Sequence, residues 1–147
     1  NGQLLGFVVQ EGFGKKKLKT LAAKDVLGFN EQFILIPSYK SLAEPDEIIR
    51  IKEVQDGGIK IIKSKVYTIS GIYLGKVKNY SIDFDISRMS RIYVNARSIR
   101  NLIKELIIEA KCIVSINKDK IIVDDTCAKE AQKSSLEIGT IEKELPI

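Results

Sequence analysis

The chain has 147 residues, 44% hydrophobic and 29% charged, a globular balance with room for one ordinary domain or two small ones. It carries 24 Lys+Arg against 19 Asp+Glu, a net charge of +5, with no His, no Trp and two Cys. The missing His excludes a Ser-His-Asp triad, a Cys-His pair and any His metal site, and no apolar run approaches the roughly 20 residues of a membrane span.

Strand signals dominate the chain order. Leu4–Gln10 is a Val-rich apolar run, and Gln32–Ile36 holds Phe33, Ile34, Leu35 and Ile36 ahead of Pro37. Asp46–Glu53 carries Ile48, Ile49 and Ile51, a candidate helix too short for its pattern to settle. Asp56-Gly57-Gly58 is a turn signal, so Ile59–Ile62 is expected to be a strand. Val66–Ser70, Tyr73–Phe84, Arg91–Val94, Lys111–Ile116 and Lys120–Asp124 complete the strands. Short strands so close together predict small antiparallel barrels or sandwiches. Ser98–Ala110 places Ile99, Leu102, Ile103, Leu106, Ile107 and Ala110 at helical spacing. From Ala128 the apolar residues scatter without a period, which predicts a loosely held or extended tail over 128–147, with one helical turn as the alternative.

The chain also matches itself. Ala23–Ile36 aligns without a gap on Ala110–Val123, pairing Val26 with Ile113, Phe29 with Ile116, Ile34 with Ile121 and Asn30 with Asn117. Each copy reads as strand, tight turn, strand. Upstream, Gly2–Val8 aligns on Gly71–Val77 through a shared Gly-x-x-Leu-Gly-x-Val. The first glycine of each is expected at a positive φ in a turn, the second where a side chain would not fit. The offsets are 87 and 69 residues, so the second copy holds 18 extra residues around Asp85–Lys104. The repeat splits Ser98–Ala110 into a short helix to about Lys104 and a strand over Glu105–Glu109.

Gly-x-x-Leu-Gly-x-Val, then Ile82-Asp83-Phe84-Asp85, then a last hairpin ending in Ile121-Ile122-Val123 resembles the PRC-barrel family. That family is the small β-barrel shared by the cytoplasmic domain of the photosynthetic reaction-centre H subunit and the ribosome maturation protein RimM. The match is best over 65–83, good over 63–124 and weaker over 1–42. The resemblance implies a mostly β protein with two such barrels in tandem and one short helix in the second. The expected organisation is an N-terminally incomplete first copy over 1–45, a connector or shared strand over 46–62, a second copy over 63–127 and a tail over 128–147. The first copy lacks a counterpart of Val66–Thr68, which would precede Gly2. The resemblance implies a binding module, and its motif residues build a barrel; they carry no catalysis.

Four of the five Arg, Arg88, Arg91, Arg97 and Arg100, fall within 13 residues. Arg is favoured at interfaces and at phosphate, so these four with Tyr93 form the expected partner-contact region. Lys15, Lys16, Lys17 and Lys19 follow Gly12-Phe13-Gly14 and read as a solvated hairpin tip; contact with phosphate is the functional alternative. The loop lacks the spacing of a phosphate-binding P-loop. Asp83 with Asp85, and Asp124 with Asp125, are carboxylate pairs better explained by turns than by metal or acid–base chemistry. Cys112 is expected in the core. Two cysteines without framework spacing fit a reducing cytoplasm, the expected location; a bond between Cys112 and Cys127 stays open. A signal peptide is not expected, since the opening residues lack a charged n-region and a long apolar stretch.

The expected function is therefore a non-enzymatic adaptor for a protein or ribonucleoprotein partner, without catalytic residues, cofactor or metal. The alternative is an RNA- or ribosome-associated factor touching phosphate through its Arg/Lys surface. A homodimer through an exposed barrel edge is a further partner expectation.

Overall fold

The computed structural model describes residues 2–14, 17–97 and 103–144. The chain divides into two compact units, the first taking in residues 3–58 and the second Gly2 with 59–147.

In the first unit, β1 (Gly6–Glu11) and β2 (Lys17–Ala22) form an antiparallel hairpin, Gly6 beside Ala22 and Glu11 beside Lys17. Gly12 and Gly14 turn its tip at φ +73° and +110°, values that glycine adopts without steric cost. A 3-10 turn over Ala23–Asp25 leads to β3 (Gly28–Phe29) and β4 (Ile34–Leu35), which form a separate two-stranded sheet. Then β5 (Leu42–Ala43) adds to the far side of β2. Helix α1 (Ile49–Asp56) sets Ile51 into the small core beside Leu21 and Ala22. It overlaps the candidate stretch Asp46–Glu53; Asp46 precedes the helix and pairs with Lys52 at 2.8 Å.

In the second unit, β6 (Lys65–Thr68), β7 (Tyr73–Asp83), β8 (Arg88–Arg97), β9 (Ile103–Glu109), β10 (Ile113–Ile116) and β11 (Lys120–Val123) form one sheet in the order β10-β11-β6-β7-β8-β9. Pairing is antiparallel except between β11 and β6, which run parallel. Val66, Ile92, Val94, Ile121 and Val123 are fully enclosed, and Val77, Leu106 and Ile108 nearly so. These alternate apolar positions are what a half-buried strand supplies. Helix α2 (Asp125–Glu144) adds Ala128 and Ala131 to this core.

Several expectations need correction. Among the described residues none of the three sheets closes, and the strands do not show tandem barrels. Ile59–Ile62 is not a strand; Asp56-Gly57-Gly58 instead ends α1, with Gly57 N–H bonded to Glu53 O and Gly58 at φ +66°. The stretch Asp85–Lys104, where the extra residues fall, holds strand β8, and β9 begins at Ile103, so no helix reaches Lys104; residues 98–102 lie outside the described residues. The tail is a helix of 20 residues. Asp124 caps it, its Oδ1 accepting from the N–H of Thr126 at 2.8 Å and of Cys127 at 3.3 Å. Cys112 and Cys127 form a disulfide, Cα to Cα 6.0 Å, which fastens α2 to the turn after β9. A reducing location therefore no longer follows from the cysteines.

The self-match has a geometric counterpart. The 3-10 turns over Ala23–Asp25 and Ala110–Cys112 are entered at φ/ψ −70°/139° and −68°/143° and left at −80°/120° and −80°/118°. In the hairpins that follow, Gly28 pairs with Leu35 and Phe29 with Ile34, as Ser115 pairs with Ile122 and Ile116 with Ile121. Asn30 N–H bonds to Phe33 O at 3.0 Å, and Asn117 N–H to Lys120 O at 2.9 Å. Gly2 and Gly71 both have positive φ, +69° and +88°. A Cβ on Gly6 would sit 2.3 Å from Leu21 O, and one on Gly75 2.1 Å from Asn95 O. Each second glycine thus lets a neighbouring strand approach.

Candidate functional site

Strand β8 carries the Arg-rich segment. At its start Ser90 is an extra residue, since Ser81 pairs with Arg91 and Ile82 with Met89. This bulge puts Met89, Ile92 and Val94 on the buried face, leaving Arg91 and Tyr93 on the outer one. Ser90 and Ser81 hydroxyls bond at 2.9 Å and stabilise the bulge.

The outer face is built in rows across β7, β8 and β9. Ser81, Arg91 and Glu109 form one row, Asn79, Tyr93 and Ile107 the next, Lys76, Asn95 and Glu105 the third. Ile107 is 44% exposed, an apolar spot beside the half-buried Tyr93 ring. Arg88 is exposed at the end of the strand and pairs in register with Asp83. Arg88 and Arg91 therefore each have a carboxylate residue opposite them in the ladder, while Arg97 is opposite Ile103. Glu109 is held below the ordinary carboxylate range, first by its hydrogen bond from Lys111 at 2.6 Å and last by the Arg91 charge. Lys78 reaches Glu105 at 3.3 Å. The face carries charges of both signs around the Tyr93–Ile107 spot.

Of the expected contact residues, Arg88, Arg91 and Tyr93 share this end of the sheet. Arg97 lies on the same strand with its side chain outside what is described, and Arg100 lies outside the described residues.

The lysine cluster comes apart. Lys15 and Lys16 lie outside the described residues. Lys19 is not a surface phosphate contact: it is 7% exposed, and its Nζ donates to Glu44 Oε1 at 2.5 Å. Lys17 is exposed and 3.9 Å from the same carboxylate. The Lys19–Glu44 hydrogen bond raises the lysine and lowers the carboxyl from their ordinary ranges. Alongside, Tyr39 OH donates to Glu11 Oε1 at 2.5 Å, which pushes the phenol up. Sequence reasoning missed this network. Glu44 and Tyr39 are 25 and 20 residues from Lys19, and β5 with its preceding turn brings them together.

The carboxylate pairs are structural. Asp83 Oδ1 accepts from Asp85 and Ile86 N–H at the β7–β8 turn. Asp125 accepts from Ser70 Oγ at 2.5 Å and Ser70 N–H at 3.2 Å, which lowers its carboxyl and ties α2 to the turn after β6. Among the described residues no group of three His, Cys, Asp or Glu is placed to hold a metal ion. An open groove of about 200 Å³ runs beside the disulfide, lined by Ile107, Lys111, Cys127, Glu130, Ala131 and Ser134, below the size of an ordinary small-molecule pocket. No described helix is long and apolar enough to cross a membrane.

The Gly-x-x-Leu-Gly-x-Val segment opening the long strand β7 and the parallel β11–β6 pair are now in place. Residues 56–128 match the PRC-barrel domain family. The PRC-barrel match takes in β6 through β11, the disulfide and the start of α2, and its one copy leaves the first unit outside. No curated protein matches the chain.

Proposed function

We propose that the PRC-barrel unit is a non-enzymatic adaptor that binds a protein partner through the outer face of β7, β8 and β9. The observation that carries this reading is the row arrangement: Tyr93 and Ile107 form an amphipathic centre flanked by Arg91 and Glu109, with Arg88 at the edge. Aromatic residues and Arg are the side chains that interfaces enrich. The carboxylates opposite Arg88 and Arg91 favour a mixed-charge protein surface over a phosphate backbone, which requires uncompensated positive charge. Lys19, paired with Glu44, also leaves the basic set.

We also read the first unit as a second, incomplete copy of the same plan, supported by the matching glycines, turns and hairpin register. The proposed location is the cytoplasm, where the Cys112–Cys127 bond would be open to reduction; binding is proposed to need no cofactor.

The test is affinity capture with the intact chain, with and without nuclease, beside a Y93A/R91E variant. Partners that survive nuclease and are lost with the variant support the reading. Partners lost on nuclease treatment, with affinity falling steeply against salt, would replace it with the RNA- or ribosome-associated alternative. Partners unaffected by the variant would move the site off this face.

A further inference from the structure

The outer face of β11, β6 and β7 is built differently from that of β7, β8 and β9. Register sets Lys120 beside Lys65 and Lys65 beside Lys76, so three lysines lie in one row across the strands, about 10 Å from end to end. All three are exposed, and among the described residues no carboxylate pairs with any of them. Beyond Lys76 the row passes Asn95 to Glu105, whose carboxylate is taken by Lys78 at 3.3 Å. Like charges directly opposite one another destabilise a ladder, and an anionic ligand would relieve that cost. The next row is Ser115, Ile122, Tyr67 and Tyr73. Tyr67 and Ile122 are half-buried, Tyr73 is 51% exposed, and the two tyrosine rings lie 5.2 Å apart at 50° to one another.

We propose that this face binds single-stranded nucleic acid, with Lys65, Lys76 and Lys120 on phosphates and Tyr73, backed by Tyr67, as the platform on which a base stacks. A charged track beside exposed rings holds such strands without sequence preference. The three lysines are uncompensated, as phosphate binding requires, whereas Arg88 and Arg91 sit opposite carboxylates on the neighbouring face. An extended peptide is poorly served here. Strands β11 and β6 are interior to the sheet, with neighbours on both sides, so no further strand can add to them. What the face offers is point charge and flat ring, and a nucleotide carries the partner of each. The inference is independent of the protein-binding reading: Lys65, Lys120 and Tyr73 take no part in that face, and Lys76, on the border of the two, is left out of the test.

The experiment measures binding of the intact chain to a fluorescent mixed-sequence RNA of about 12 nucleotides, by anisotropy across a salt series. Three phosphate contacts give an expected slope of log K against log salt of about −2 for a single strand. Lys65→Gln with Lys120→Gln is expected to bring the slope to about −0.7. Lys24→Gln with Lys40→Gln, an equal loss of charge at exposed lysines of the first unit, is expected to leave it unchanged. Tyr73→Leu is expected to weaken binding about ten-fold at unchanged slope, and Tyr73→Phe, which keeps the ring, to bind as the wild type does. Amide spectra of β6 and β11 report that each variant has folded. No binding at about 50 mM salt, or equal losses in the two lysine pairs, overturns the proposal. Binding of polyglutamate with the same lysine dependence, and no loss in Tyr73→Leu, would assign the face to an acidic protein segment and overturn the nucleic-acid reading. None of these results bears on protein capture by the face of β7, β8 and β9, so the two readings fail separately.

Discussion

The disulfide between Cys112 and Cys127 closes a loop of 15 residues holding β10, β11 and the start of α2. Closing such a loop removes denatured-state entropy worth about 3 kcal/mol at 25 °C. The bond lies wholly within the second unit. Reduction should therefore destabilise that unit by about 3 kcal/mol and leave the first unit unchanged. With urea m-values of about 1–3 kcal/mol/M, the midpoint of its transition should fall by about 1–3 M. The assay is urea unfolding of oxidised and reduced protein, followed by amide signals from Ile92 and Ile121 for this unit and Leu21 for the first, because two units need not unfold together. Cys127→Ala is the better genetic control, since Cys112 is the more buried of the two and its truncation adds a cavity. A change below about 0.5 kcal/mol would refute the loop-entropy reasoning and mean that the reduced, unfolded chain keeps this segment structured. Equal loss in both units would refute the assignment of the bond to one of them.

Three other outcomes are expected. Gly75→Ala would place a Cβ 2.1 Å from Asn95 O at a φ of +146°, so it should cost about 3 kcal/mol or more, while Gly28→Ala, with open space around it, should cost well under half of that in the same thermal melts. Asp124→Ala removes the cap of α2 and should cost about 1 kcal/mol, with faster exchange confined to the first turn of the helix; exchange that quickens across β7 instead would count against a capping role. The Lys19–Glu44 pair makes stability depend on pH in a stated direction. Glu44 is depressed in the folded chain, so its contribution is present above about pH 4.5 and lost as pH falls through the lower folded value; Lys19 is raised, so its share is present below about pH 10.5 and lost above the higher folded value. The melting difference between wild type and Glu44→Gln should therefore shrink at pH 3 relative to pH 7, and an unchanged difference would remove the pair from the account.

Local chemistry made much of the molecule legible. Alternating Val, Ile and Tyr placed β1, β6, β7 and β11 within a few residues, because a strand with one buried face must repeat every second residue. The glycines of Gly-x-x-Leu-Gly-x-Val announced a positive φ and a close strand approach, both properties of a single backbone position. Asn30 and Asn117 marked two turns with one hydrogen-bond pattern. What stayed hidden depends on residues far apart in the chain. Helix α2 has too weak an amphipathic stripe to be read alone; it forms because Asp124 caps it, Asp125 ties it to Ser70 and Cys127 bonds it to Cys112. Lys19 looked like one of four surface lysines until β5 brought Glu44 to it. The Arg segment looked like a basic patch, and the ladder set Asp83 and Glu109 opposite Arg88 and Arg91. Sequence alone determined most of the strands, the turns and the matching hairpin geometry, since those follow from each residue's own conformational preferences. Tertiary structure alone decided which charges are neutralised, which cysteines meet and which copy of the hairpin has its second neighbour, because those are matters of pairing across the sheet.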